Sequence, residues 1–204
     1  MKRAMNYLRR LDERFQEWRL GIDTDEWHAV IDPDQPDRRG YSPTKYRDWR
    51  IIRRHIFVSG ESAFIDYGAG LGRVTILAAM LPFSRVIGIE VSPHLIRRAH
   101  ENIRNVRGVL RTRIEMVSAD ASTFEIPKDA STLFFHNPFA GSILSSVLEN
   151  ARRSHCSHPR LLQIICNVPE QSAFENEITS VNWLKLREGF LLSDRRKCLI
   201  FSLG

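Results

Sequence analysis

No apolar run in this 204-residue chain approaches the roughly 20 residues that a helix needs to cross a bilayer. The basic start Met1-Lys2-Arg3 is not followed by the apolar core of a signal peptide, so the expected compartment is the cytoplasm and no membrane partner is expected. Cysteine is scarce: Cys156, Cys166 and Cys198 are odd in number and widely spaced, which suggests neither a disulfide framework nor a zinc site. The grouping His155-Cys156-Ser157-His158 invites a metal, but no matching Cys/His pair lies elsewhere. It reads as an exposed polar loop, and no metal is expected. Internal repeats and low-complexity tracts are also missing, which excludes solenoid architectures.

What remains is an ordinary globular composition, 43% hydrophobic and 26% charged, at a length that suits one α/β domain with an N-terminal helical extension. The expected division is an extension over 1–58 and a domain over 59–204. The net charge of +6 favours an acidic partner or substrate without naming one. Arg-rich solvated helix faces, such as Arg97, Arg98 and Arg104, account for it as well.

The chain is organised around residues 63–73, Ala-Phe-Ile-Asp-Tyr-Gly-Ala-Gly-Leu-Gly-Arg. The run Ala63 to Ile65 has no polar alternation, as expected of a strand covered on both faces. Gly68, Gly70 and Gly72 let the backbone turn sharply and let a ligand approach its N–H groups. Val74, Leu77, Ala78 and Leu81 then recur at helical spacing, placing the positive end of a helix at the turn. Such a turn suits an anionic or strongly polar small molecule.

Before this core, Met5, Leu8, Leu11, Phe15, Trp18 and Leu20 form one stripe of an amphipathic helix that should dock through it. Asp23 to Trp27 read as a cap and short turn, and Asp32 to Pro43 as a surface loop. A second helix is expected from Ser42-Pro43-Thr44 to about Val58. After the core, the predicted strands are 85–90, 114–118, 131–135 and 161–166. Helices lie between them, one opened by the cap Ser92 and Pro93, one carrying Ile143 to Ala151, and a short one starting at Pro169. Strands at 182–186 and 197–203 have no helix between them and should pair antiparallel, completing an open mixed sheet.

Ligands of a doubly wound sheet bind at the carboxyl ends of the strands. Asp66, Glu90, Asp120 and His136-Asn137 fall at four such ends and would line one crevice. The dinucleotide fingerprint G-x-G-x-x-G fails here, because Arg73 or Thr75 stands where the third glycine should. Asp66 before the turn would also repel a pyrophosphate, so a ligand with a cationic group is the better match.

Asp66-Tyr67-Gly68-Ala69-Gly70-Leu71-Gly72 resembles motif I of the class I, Rossmann-like S-adenosylmethionine-dependent methyltransferases. The likeness covers about residues 41 to 204. It implies a seven-stranded sheet of order 3-2-1-4-5-7-6 with strand seven antiparallel, and S-adenosyl-L-methionine as cofactor. By the same resemblance, Gly68, Ala69, Gly70 and Gly72 would face the methionine part and Asp66 its ammonium. Glu90, 18 residues after Gly72, would take the ribose hydroxyls with Val91 beside it, and Asp120 with Ala121 would meet the adenine edge. The alternative for Asp120 is a cap of the following turn, and Arg73 reads as a helix residue rather than a ligand.

His136-Asn137-Pro138-Phe139 resembles, with one proline fewer, the Asn-Pro-Pro-aromatic motif of amino-group methyltransferases. That implies an Asn137 that orients the acceptor and borders the cofactor, a Phe139 that stacks on it beside Pro138, and a His136 placed to take a proton. The acceptor could be a protein amine, a small molecule or a nucleic acid, and the missing proline counts against nucleic-acid base methylation. Tyr41 and Tyr46 resemble a segment that closes over the site in some relatives, or else only pack the second helix. The expected activity is methyl transfer to nitrogen or oxygen. The alternatives are an NAD- or nucleotide-binding Rossmann enzyme and a non-catalytic binding module that uses the basic face and N-terminal helix.

Overall fold

The computed structural model describes residues 2–25 and 37–203, with side chains from Leu8 onward except that of Arg9. Met5's side chain, Trp27 and the start of the Asp32–Pro43 loop lie outside the described residues. Helices α1 (Lys2–Leu20) and α2 (Tyr46–Ile52) precede β1 (Ala63–Tyr67), α3 (Arg73–Ala79), β2 (Arg85–Glu90) and α4 (Pro93–Asn105). There follow β3 (Arg113–Ser118), a 3-10 turn (Ala121–Thr123), β4 (Ala130–Phe135), α5 (Gly141–Ser157) and β5 (Gln163–Pro169). The chain closes with α6 (Ala173–Thr179), β6 (Leu184–Leu191) and β7 (Arg196–Leu203).

The sheet order is β3-β2-β1-β4-β5-β7-β6. Strands β1 to β5 pair in parallel, and β7 runs antiparallel to both β5 and β6. Alternate residues serve two buried faces, which is why these strands carry no polar alternation. Ile65, Tyr67, Ile87, Ile89, Leu133 and Phe135 pack in one cluster with residues of α5 and α6. Phe64, Val86, Phe134 and Ile165 pack in the other with α2 and α3, where Trp49 meets Phe64 and Phe134 edge-on. The order reverses between β1 and β4, so a crevice opens at their carboxyl ends.

Several local expectations are corrected. The docking face of α1 is its charged one: Glu17 and Leu20 are buried and Glu13 nearly so, while Phe15 and Trp18 of the apolar stripe are 54% and 68% exposed. Arg73 is the reason. Its guanidinium, 2% exposed, binds Glu13 at 2.6 Å, Glu17 at 2.9 Å, the Thr24 hydroxyl at 2.7 Å and the Thr44 carbonyl at 3.0 Å. Helix α2 begins only at Tyr46, because Lys45 is still extended and the stretch before it runs along the end of β4. It stops at Ile52, after which the His55 carbonyl accepts from Gln163 Nε2 at 2.8 Å.

Pro169 ends β5 rather than starting α6, which Ser172 caps by accepting from the Glu175 amide. Strand β6 continues to Leu191 past a register shift between Leu186 and Glu188 that hides its alternation in the sequence. His155, Cys156 and Ser157 are not loop but the last turn of α5, where Arg160 gathers the carbonyls of Ser154 and His158.

Candidate active site

A cavity of about 310 Å³ lies at the carboxyl ends of β1 to β4. One wall is the glycine turn. Gly68, Gly70 and Gly72 all adopt left-handed φ, of 72°, 55° and 84°. A β-carbon at Gly68 would overlap Pro138, and one at Gly70 would overlap the Tyr41 ring. The turn's amides are used internally: those of Gly68 and Ala69 donate to the Ile89 carbonyl, and that of Gly70 donates to Glu90 Oε2 at 3.0 Å. The other Glu90 oxygen accepts from the Val91 and Ser92 amides, both at 2.9 Å. Glu90 thus staples the turn to the end of β2 while lining the cavity.

Asp66 lies under the turn and away from the cavity wall, accepting from Thr75 Oγ1 at 2.7 Å. Burial pushes its carboxyl up to about 7. The predicted cofactor residues therefore divide. Gly68, Glu90, Val91, Asp120, Ala121 and Asn137 line the cavity, whereas Asp66, Ala69, Gly70 and Gly72 do not. Asp120 is a cap, as one of its two readings expected, and it also lines the cavity. Its Oδ1 caps the 3-10 turn through Ser122, and its Oδ2 takes Arg38 at 2.7 Å. The Ser122 hydroxyl, followed by the Ser122 amide and Arg38, outweighs partial burial and holds this carboxyl below its usual range.

His136, Asn137, Pro138 and Phe139 form the wall after β4. Asn137 sits in the left-handed region, φ 52°, which asparagine tolerates better than most residues. Among the described residues its side-chain amide has no hydrogen-bond partner. Phe139 packs edge-on against Tyr67 and Phe135, which fixes its ring on the cavity side. Burial, then the Arg196 guanidinium 3.4 Å from Nδ1, holds the His136 imidazole well below its ordinary pKa.

Sequence reasoning placed Tyr41 in a segment over the site but not the strap that begins at Asp37. Asp37 to Ser42 cross the β4 end as a strap: Arg38 bridges Phe139, the Arg39 amide donates to the Pro138 carbonyl at 3.0 Å, and the Asp37 carboxylate takes the Ser142 amide and hydroxyl. Tyr41 lies on the strap, lines the cavity and donates its hydroxyl to the Thr24 carbonyl at 2.9 Å. Tyr46 is not at the site. It is buried under Arg73, 4.4 Å from ring centroid to guanidinium carbon, and donates to Glu17 at 2.5 Å. Arg196 and Asn167 also escaped notice, because β7 brings them to His136 only through long-range pairing.

Fold order, glycine turn and strand-end carboxylates together define the class I methyltransferase architecture. Residues 64–157, 94 of the 204, match the family model described as "Methyltransferase domain", a stretch that includes the glycine turn and the ends of β2, β3 and β4. A Drosophila melanogaster histone-lysine N-methyltransferase, specific for lysine 79 of H3, is 31% identical over 127 residues, 55% of this chain and 7% of that protein. The chain thus spans a small part of the curated relative it matches. Among solved structures, a human methyltransferase 10 domain containing protein is similar over 97% of both chains, with 15% identity and a TM-score of 0.58. A magnesium protoporphyrin IX methyltransferase from Synechocystis, solved with SAH bound, is similar over 76% of this chain and 78% of its own, with 12% identity and a TM-score of 0.53.

Proposed function

We propose that this chain transfers the methyl group of S-adenosylmethionine to a nitrogen acceptor, with oxygen as the alternative, and that residues 1–58 serve as an extension roofing a catalytic domain over 59–204. The cavity's chemistry fits the cofactor. Glu90 and Asp120 offer carboxylate oxygens to hydroxyl and amino donors, while Ile89, Leu95, Ala121 and Ile143 supply apolar wall for a planar base. Glu90 and Val91 would hold the ribose, Asp120 and Ala121 the adenine edge, and Gly68 the backbone side of the methionine part. Asp66, Ala69, Gly70 and Gly72 act behind them by keeping the turn's shape.

When bound, the cofactor supplies an electrophilic sulfonium methyl group. The protein's share is therefore mainly to place the acceptor in line, an effect worth on the order of several kcal/mol. The observation that carries the nitrogen reading is Asn137: a polar side chain fixed on the wall by a left-handed turn and uncommitted to any described neighbour. Its amide oxygen would receive the acceptor's N–H. Phe139, Pro138 and Tyr41 would shape the acceptor's channel, and Tyr46 would act only by anchoring α2. A cytoplasmic setting fits this reading, and no described helix is long and apolar enough to cross a membrane.

Calorimetry with S-adenosylmethionine, S-adenosylhomocysteine and NAD tests the first step. The two adenosyl ligands should bind in the micromolar range and Glu90→Ala should weaken both at least tenfold. Binding of NAD alone would overturn the reading.

A further inference from the structure

Strand β7 starts at Arg196, opposite Pro169 of β5 and two residues beyond Asn167. Arg196 Nε donates to Asn167 Oδ1 at 2.7 Å, and a terminal nitrogen donates to the Asn167 carbonyl at 2.6 Å. These two bonds fix the guanidinium plane. The same terminal nitrogen lies 3.4 Å from His136 Nδ1. Arginine has donors only, so Nδ1 must accept, and a neutral ring must then carry its hydrogen on Nε2. Nε2 is the ring nitrogen with no partner among the described residues, on a side chain that lines the cavity.

The charges acting on His136 are cations from three elements: Arg196 of β7, Arg73 of α3 and Lys45 at the start of α2. The acid that acts on Arg196 itself is Asp48 of α2, already bound to the Ser193 amide and hydroxyl. A second proton on the ring would face the guanidinium directly. Histidine here is poorly suited to remove a proton and well suited to donate one hydrogen bond.

We propose that Arg196 is a positioning residue that fixes His136 as the neutral Nε2–H tautomer, so that the site selects an acceptor nitrogen flanked by an anionic oxygen. This rests on the reading of the cavity as a methyl-acceptor site. The acceptor's N–H would meet the Asn137 oxygen, and the flanking carboxylate or phosphate oxygen would meet the His136 Nε2–H. A bare alkylammonium has no lone pair for that donor. The surrounding cations disfavour it further.

Long-range proton–nitrogen NMR of the full chain with 15N-labelled histidine tests this directly. His136 should show the neutral Nε2–H pattern from pH 8 down to pH 5. Arg196→Gln should raise its titration midpoint by about one unit and mix the tautomers. Arg196→Lys, which keeps the charge without the fork, should hold the midpoint low yet still mix them. An Nδ1–H pattern in the unmodified protein, or a midpoint in the usual histidine range, would overturn the proposal, and the unmodified spectrum decides this even where a variant fails to fold. Glycine as a probe should shift the Nε2 resonance while methylamine should not, and equal responses would overturn the selection step. Failure of S-adenosylmethionine to bind would instead remove the methyl-transfer reading and leave the histidine result standing.

Discussion

Arg73 and Arg196 are both buried arginines, and they are solved in opposite ways. Arg73 lies among acids: Glu13 and Glu17 from α1, with Asp25 at 3.5 Å. Burial works to lower its pKa, and Tyr46, Glu17, Tyr41 and Glu13 more than offset this. Arg196 has no carboxylate within ion-pair distance among the described residues, and its partners are Asn167 and His136. Burial pulls its pKa down to about 10, with Asp48 opposing from a distance. A buried charge that is neutralised on the spot is a fastener. One that is left electrically open projects its field onto whatever lies next to it, and next to Arg196 lies the cavity.

The sharpest way to break the contrast is Arg73→Met. It strands Glu13 and Glu17 beneath α1, and the unfolding free energy should fall by about 3–5 kcal/mol in a denaturant titration. Adding Glu13→Gln and Glu17→Gln should restore much of that loss, because no uncompensated charge then remains. Arg196→Gln should cost far less, about 1–2 kcal/mol, since the hydrogen bonds lost at Asn167 are partly offset by relief of a desolvated charge. Equal costs for the two arginines would erase the distinction.

Next in size is Asn137→Ala, expected to slow methyl transfer about 100-fold, as loss of one orienting contact in a reacting complex does. Its folding stability should fall by about 1 kcal/mol, from the left-handed φ that alanine tolerates less well than asparagine rather than from any lost side-chain partner. Asn137→Gly, which suits the positive φ, should be equally slow and slightly more stable. A Gly variant that is stable and transfers methyl groups at the unmodified rate would make Asn137 structural.

The smallest expected effect is a pH dependence at Asp66. Burial pushes its folded carboxyl up to about 7, against 3.8 for an exposed aspartate. Between those values the folded state holds more protons than the unfolded one, so stability is fully present below pH 4 and declines toward pH 7. Asp66→Asn should flatten that decline. An unchanged slope would assign it to other groups.

How far the fold could be read depended on the range of the interaction concerned. Strand β2 was legible at its observed bounds, since 85–90 is one apolar run between Ser84 and the Ser92-Pro93 helix start. The strand-end positions of Glu90, Asp120 and Asn137 followed from the same short-range pattern. The orientation of α1 did not. Periodicity shows that an apolar stripe exists, but the partner that turns the helix round, Arg73, sits more than fifty residues away. Tyr41 was read as part of a closing segment by resemblance, but the Arg38 end of the strap and Arg196 were invisible for the same reason: their importance comes from pairings with Phe139 and His136 that no local spacing encodes. Asp66 was placed on the correct strand, but burial and Thr75 withdraw it from the wall.

The Tyr41 ring over Gly70 has a kinetic corollary. A molecule in the cavity that extends toward Gly70 meets an aromatic plate whose hydroxyl is moored to the Thr24 backbone. The expected consequence is association at that side slower than diffusion, which stopped-flow binding would measure. Swapping Tyr41 for phenylalanine, which cuts the mooring and keeps the plate, would quicken arrival and departure together while leaving the equilibrium affinity nearly where it was.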